Sequence, residues 1–111
     1  MTDTSVAAAK LTGFAAACLE KLGLAASDAR LVAETLVESN LRGVDSHGVV
    51  RLPHYAARLR NGTVNPRPKI SVQRTGASTA VVEGDRGMGQ LVAVRAMQEA
   101  ISLARQSGVG A

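Results

Sequence analysis

Apolar residues recur along the first quarter of the chain at helical spacing. Leu11, Phe14, Ala15, Cys18, Leu19 and Leu22 stand at i, i+3, i+4, i+7, i+8 and i+11, the stripe of an amphipathic helix, and Gly23 is its natural stop. A second stripe follows at Ala29, Val32, Ala33, Leu36 and Leu41. Ser27 and Asp28 open it with polar groups suited to a helix N-terminus, and Gly43 closes it. These two read as a helical hairpin. Pro53 fits the first turn of a third helix over 50–60, with Asn61-Gly62 ending it. Asn65-Pro66-Arg67-Pro68 is extended or turn-like, because a residue before proline is pushed out of the α region. Alternation predicts short strands over 70–73 and 79–83, joined by a turn at Gly76-Ala77-Ser78. After a loop over 84–89, a long helix over 90–106 turns Leu91, Val94, Met97, Ile101 and Ala104 to one side and ends at Ser107-Gly108. Val109-Gly110-Ala111 reads as entry to an extended segment, the expectation being a chain cut short.

The result is an α+β fold: an N-terminal helical hairpin, a third helix, a short β-hairpin and a long C-terminal helix. It divides into a helical segment over 1–62 and a strand–strand–helix segment over 63–111. Composition narrows what can hold this together. Phe14 and Tyr55 are the only aromatic residues, so the core must be built from Ala, Val and Leu, which makes an independent fold marginal. Cys18 is alone, which excludes an internal disulfide, and with two histidines it gives no zinc spacing, so no metal is expected. No run approaches the roughly 18 apolar residues that a membrane span needs. Met1-Thr2-Asp3-Thr4 lacks a basic signal-peptide start, so the cytoplasm is the expected compartment.

The net charge of +4 is unevenly placed. Residues 1–50 hold four basic and six acidic groups, and residues 76–111 hold three of each. Residues 51–75 hold six basic groups and no acid: Arg51, Arg58, Arg60, Arg67, Lys69 and Arg74. Such a stretch suits phosphates, an acidic partner surface or a carboxylate substrate. With no aromatic platform beyond Tyr55, nucleic acid is the weaker reading, and a small basic nucleic-acid-binding module or a helical docking module stands as the alternative to an enzyme.

The densest polar cluster is Asp45-Ser46-His47-Gly48 with Arg51. A hydrolytic triad does not fit, since three consecutive residues point in different directions and no nucleophile elbow is present. Asp45 or Ser46 could simply cap the following helix. The functional reading is different. His47 and Arg51 lie one helical turn apart; Arg51 could grip a carboxylate with both arms of its planar fork, and His47 could exchange a proton with an adjacent carbonyl or hydroxyl. Ser46 could hydrogen-bond that imidazole or the substrate. Tyr55 lies a further turn along and reads equally as packing, and His54 as a solvated helix residue. Gly84-x-x-Gly87-x-Gly89 follows a strand and opens a helix, a context able to receive phosphate. Its order reverses the dinucleotide fingerprint, and a tight turn accounts for the glycines equally well.

Leu41-Arg42-Gly43-Val44-Asp45-Ser46-His47-Gly48 followed by Arg51-Leu52-Pro53-x-Tyr55 resembles the N-terminal part of the second type of malate/L-lactate dehydrogenase family. The likeness continues through Gly62-Thr63-Val64-Asn65-Pro66, then Glu83-Gly84-Asp85-Arg86-Gly87-Met88-Gly89-Gln90, and into Ala96-Met97-x-x-Ala100-Ile101. The family also holds ureidoglycolate, sulfolactate and diketogulonate oxidoreductases and a reductase of piperideine-2-carboxylate. The resemblance implies a non-Rossmann fold and an N-terminal fragment of an NAD(P)-dependent oxidoreductase, transferring a hydride between nicotinamide and a small 2-hydroxy or 2-oxo acid. It implies a proton-donor role for His47 with Ser46 as its relay, and substrate binding by Arg51 and Tyr55. In other members a histidine beyond the equivalent of position 111 is the acid/base. The nicotinamide segment (NAD or NADP) also lies beyond that point, so the isolated chain is expected to be inactive. The implied partners are a small anionic acid and, in the full-length protein, a second copy in a homodimer, with no nucleic acid and no membrane.

Overall fold

The structure, a computed structural model, describes residues 3–111. Four helices and one two-stranded sheet follow in the order expected: α1 (Ala8–Lys21), α2 (Ala26–Leu41), α3 (Leu52–Arg60), β1 (Ser71–Arg74), β2 (Ala80–Glu83) and α4 (Gly89–Ser107). The third helix is shorter than the pattern suggested. Two 3-10 turns, Asp45–His47 and Val49–Arg51, precede α3, and Pro53 sits in its first turn.

Helices α1 and α2 form the hairpin. Gly23 turns the chain between them at φ +108°, a left-handed conformation that glycine adopts without Cβ strain. The first residue before α2 is Ala25, and no side chain caps it; Asp28 lies in the first turn, where a carboxylate favours the positive end of the helix. The face that α1 buries is Thr12, Ala15, Ala16 and Leu19, not the whole stripe read from its larger residues. It meets Ala29, Val32, Ala33 and Leu36 of α2, whose small side chains allow close approach. Thr12 enters this interface because its hydroxyl donates to the Ala8 carbonyl at 2.9 Å, leaving its methyl to pack. Phe14 stays 61 % exposed. With Leu11, Cys18 and Leu22 it faces Val49, Leu52, Pro53 and Ala56 across an apolar groove of about 820 Å³. Leu41, expected inside, is exposed beyond the end of the hairpin contact, and Val37 is buried in its stead.

Strands β1 and β2 pair antiparallel, from Ser71 opposite Glu83 to Arg74 opposite Ala80. Helix α4 lies along this hairpin, tied to it by an Arg74–Glu99 ion pair at 2.8 Å and a Ser78–Ser107 hydroxyl contact. Its N-terminal end reaches the helical core: Met88 and Leu91 are buried in one cluster with Ala15, Leu19, Val32, Leu36 and Leu59. The expected apolar face of α4 is only partly covered. Leu91 and Leu103 are buried, but Met97 is 61 % exposed and Ile101 is exposed, because no described element lies over that side. At the other edge of β2, the Ala111 amide donates to the Ser78 carbonyl at 2.8 Å, and the Ala80 amide donates to the Ala111 carbonyl at 2.9 Å. That pattern is a parallel pairing, so residue 111 runs beside β2 in the same direction.

Candidate active site

The turn from α2 into α3 is where the polar residues of the 45–51 block come together. Ser46, His47 and Arg51 are all exposed. The Ser46 hydroxyl and His47 Nδ1 lie 2.9 Å apart, and Arg51 Nε donates to the Ser46 carbonyl at 2.8 Å. Ser46 therefore meets both side chains, the imidazole through its hydroxyl and the guanidinium through its backbone carbonyl. The bond from Arg51 uses Nε, which leaves the two terminal nitrogens of its fork without a partner among the described residues. Nε2 of His47 is likewise free among the described residues.

Capping, the alternative role for Asp45 and Ser46, is not what the structure shows. Neither Asp45 nor Ser46 caps a 3-10 turn or α3, and Asp45 Oδ1 instead accepts from Asn40 Nδ2 at 2.8 Å. Asn40 was not marked by any pattern in the sequence. Its Oδ1 accepts the Val49 amide at 3.0 Å, so a single side chain from the last turn of α2 holds both ends of the 45–49 loop. Gly48 is buried beneath it, and a Cβ there would collide with the Asn40 amide group.

Tyr55 belongs to a neighbouring place. It is half-buried one turn along from Arg51, accepts a hydrogen bond from Gln90 Nε2 at 3.2 Å, and lines a cavity of about 370 Å³ with Arg58, Val64, Gly87, Met88, Gly89 and Gln90. The tyrosine thus connects α3 to the first turn of α4, beside the glycine loop. His54 is exposed, as expected, with its ring 6.3 Å from that of Tyr55.

The glycine loop itself is a joint. Asp85 Oδ2 accepts from the Lys69 amide at 2.8 Å and from Asn65 Nδ2 at 3.1 Å, and the Arg86 carbonyl accepts the Asn65 amide at 2.8 Å. Gly84 packs under Val92, and Gly87 against Pro68, closely enough that a Cβ at either would be obstructed. Gly84 and Gly87 are thus filled by protein, whereas the space beside Gly89 at the start of α4 is open. Among the described residues no group of three His, Cys, Asp or Glu is placed to hold a metal. Among the described residues no helix is long and apolar enough to cross a membrane.

The basic stretch is not one uninterrupted surface. Arg67 Nε donates to the Gly23 carbonyl at 2.8 Å, Arg74 pairs with Glu99, and Arg51 holds Ser46. Each of these three guanidinium groups thus has a nitrogen engaged by the fold or the loop.

Comparison with known proteins agrees with the fold. The sequence model of the family described as malate/L-lactate dehydrogenase matches residues 6–111. Malate dehydrogenase of Pyrococcus horikoshii is 46 % identical over 101 residues, which are 91 % of this chain and 28 % of that protein. L-sulfolactate dehydrogenase of Methanocaldococcus jannaschii is 41 % identical over 92 residues, 83 % of this chain and 27 % of that protein. Ureidoglycolate dehydrogenase (NAD(+)) of Escherichia coli is 40 % identical over 87 residues, 78 % of this chain and 25 % of that protein. The solved structure of the Pyrococcus horikoshii enzyme superimposes with a TM-score of 0.92 at 45 % identity, covering 96 % of this chain and 31 % of that one. The chain therefore spans under a third of the length of the relatives it matches.

Proposed function

The chain belongs to the malate/L-lactate dehydrogenase family, and from that premise we propose that it supplies the substrate-side part of an NAD(P)-dependent oxidoreductase. The substrate is a small acid bearing a carboxylate next to a hydroxyl or carbonyl carbon. The observation that carries this reading is the hydrogen-bonded Ser46–His47–Arg51 group, with the outer nitrogens of the imidazole and the guanidinium meeting no partner among the described residues.

Arg51 receives the carboxylate. Its Nε is anchored on the Ser46 carbonyl, so the terminal nitrogens are presented at a fixed place, and a charge-assisted bond of this kind contributes about 1.5–3 kcal/mol. His47 handles the proton on the substrate oxygen through Nε2. In the reductive direction the imidazolium donates through Nδ1 to the Ser46 oxygen and gives its Nε2 proton to the substrate oxygen, which leaves neutral imidazole protonated on Nδ1. When Nδ1 donates to Ser46, Nε2 accepts a proton from an alcohol. A nicotinamide supplies the hydride acceptor in such enzymes. No step of its chemistry is assigned to the described residues.

Relatives whose names include malate, sulfolactate and NAD(+) ureidoglycolate activities support an anionic acid substrate and a nicotinamide partner. The reading includes Tyr55 at the edge of the substrate site, the 1–62 and 63–111 division, a homodimer in the full-length protein, a cytoplasmic location, and no nucleic acid or membrane partner. A chimera tests it: this chain replaces the matching segment of the Pyrococcus horikoshii enzyme. Malate-dependent reduction of the nicotinamide is expected, and its loss on Arg51→Ala. Wild-type kinetics in that variant would remove Arg51 as the carboxylate clamp.

A further inference from the structure

Resting on the substrate site read above, we propose that Asn40 is its positioning residue: one side-chain amide clamps both ends of the 45–49 loop and so sets where His47 and Arg51 stand. The residue type is what the geometry requires. An amide is a donor at one end and an acceptor at the other, and Asn40 uses both, toward Asp45 Oδ1 at 2.8 Å and from the Val49 amide at 3.0 Å. Aspartate would lack the donor, and serine would lack the reach. The two anchor points bracket Ser46 and His47, whose side chains stay exposed, and Val49 opens the 3-10 turn that ends at Arg51. Gly48 completes the device, since only a residue without a Cβ leaves the amide room to span the loop. A helix-end asparagine with no such role would need only water for its polar atoms.

The test uses the full 111-residue chain, labelled with 15N for NMR. In Asn40→Ala, hydrogen-exchange protection of the Val49 amide is expected to fall about tenfold or more, and the His47 and Arg51 Nε signals to move, while Ala33 and Leu36 amides keep their wild-type positions. Asn40→Asp keeps the acceptor for Val49 but sets a second carboxylate against Asp45. Its loop signals should depart from wild type at about pH 8, where the two carboxylates oppose each other. Adding Asp45→Asn to Asn40→Asp exchanges donor for acceptor, and wild-type Val49 and His47 signals at pH 8 are the expected rescue. This swap also keeps the question decidable should Asn40→Ala fail to fold. Unmoved His47 and Arg51 signals in Asn40→Ala, or a double variant no better than Asn40→Asp alone, would overturn the proposal. A malate titration followed at Arg51 Nε separates the two readings. Absence of any perturbation in the wild type sinks the carboxylate site but leaves the loop measurements to judge the clamp. Malate uptake by Asn40→Ala equal to wild type overturns the positioning role.

Discussion

The stretch from Asp45 to Arg51 and the stretch from Glu83 to Gln90 are both dense in polar residues and glycine, yet they direct those groups in opposite ways. In the first, His47 and Arg51 each bond to Ser46, one to its hydroxyl and one to its carbonyl, and leave their outer nitrogens exposed, while the holding is done from behind by Asn40. In the second, Asp85 turns inward to a backbone amide and to Asn65, and the glycines accept Val92 and Pro68 against their bare backbone. A polar group satisfied by its own chain is part of the scaffold; a polar group held in place but left with open valences is available to a ligand. The contrast separates chemistry from architecture in two blocks that look alike as sequence.

The largest expected effect falls on the outward block. His47→Gln in the chimera should lower kcat by about 10²–10⁴, the usual contribution of a positioned general acid or base, with thermal stability close to the parent. A matching loss of stability would show that the imidazole is scaffold after all. Arg51→Lys comes next. Lysine cannot reproduce a fork held by Nε on a carbonyl, so kcat/KM should fall about 10–100-fold, mostly through KM. Steady-state kinetics against a 2-oxo acid reads both.

The inward block should respond in stability. Asp85→Ala removes the acceptor of both the Lys69 amide and Asn65, and about 2 kcal/mol of unfolding free energy should go with it, measured by urea denaturation. Asp85→Asn keeps an acceptor oxygen and should lose less than half of that. If Asp85→Ala instead left stability intact and abolished turnover, the division between the two blocks would collapse.

Much of this was legible in the sequence, and the exceptions share a cause. Helix limits could be read because glycine and proline act locally: Gly23, Gly43 and Pro53 do what their backbone preferences dictate. The inward face of α1 could not. Residues 11, 14, 18 and 22 and residues 12, 15, 16 and 19 both have helical spacing, and only the small side chains of α2 decide between them. Met97 and Ile101 show the same limit, since periodicity marks a face without saying what covers it. At the site, His47, Ser46 and Arg51 stood out by residue type within a few positions of one another. Asn40 did not, because its partners are five and nine residues away and meet it only after α2 ends and the chain turns back. Asp85 reaches partners 16 and 20 residues distant, beyond any local pattern.

The smallest expected effect tests the inward block at its finest grain. Asp85 and Arg86 are neighbours, both at positive φ, 50° and 55°. For a residue with a Cβ, that conformation costs roughly 1–2 kcal/mol. Asp85 is kept there for its carboxylate. Arg86 contributes chiefly its carbonyl, which accepts the Asn65 amide whatever side chain follows, together with an exposed guanidinium 3.3 Å from the Gly62 carbonyl. Arg86→Gly relieves the strain but frees the unfolded chain by about 0.4–1 kcal/mol and gives up that exposed contact. The terms nearly cancel, so the midpoint should move by less than about 4 °C, a span that corresponds to under 1 kcal/mol for a chain of this size. A large loss in Arg86→Gly would mean that the side chain, and not the backbone, holds the joint at that position.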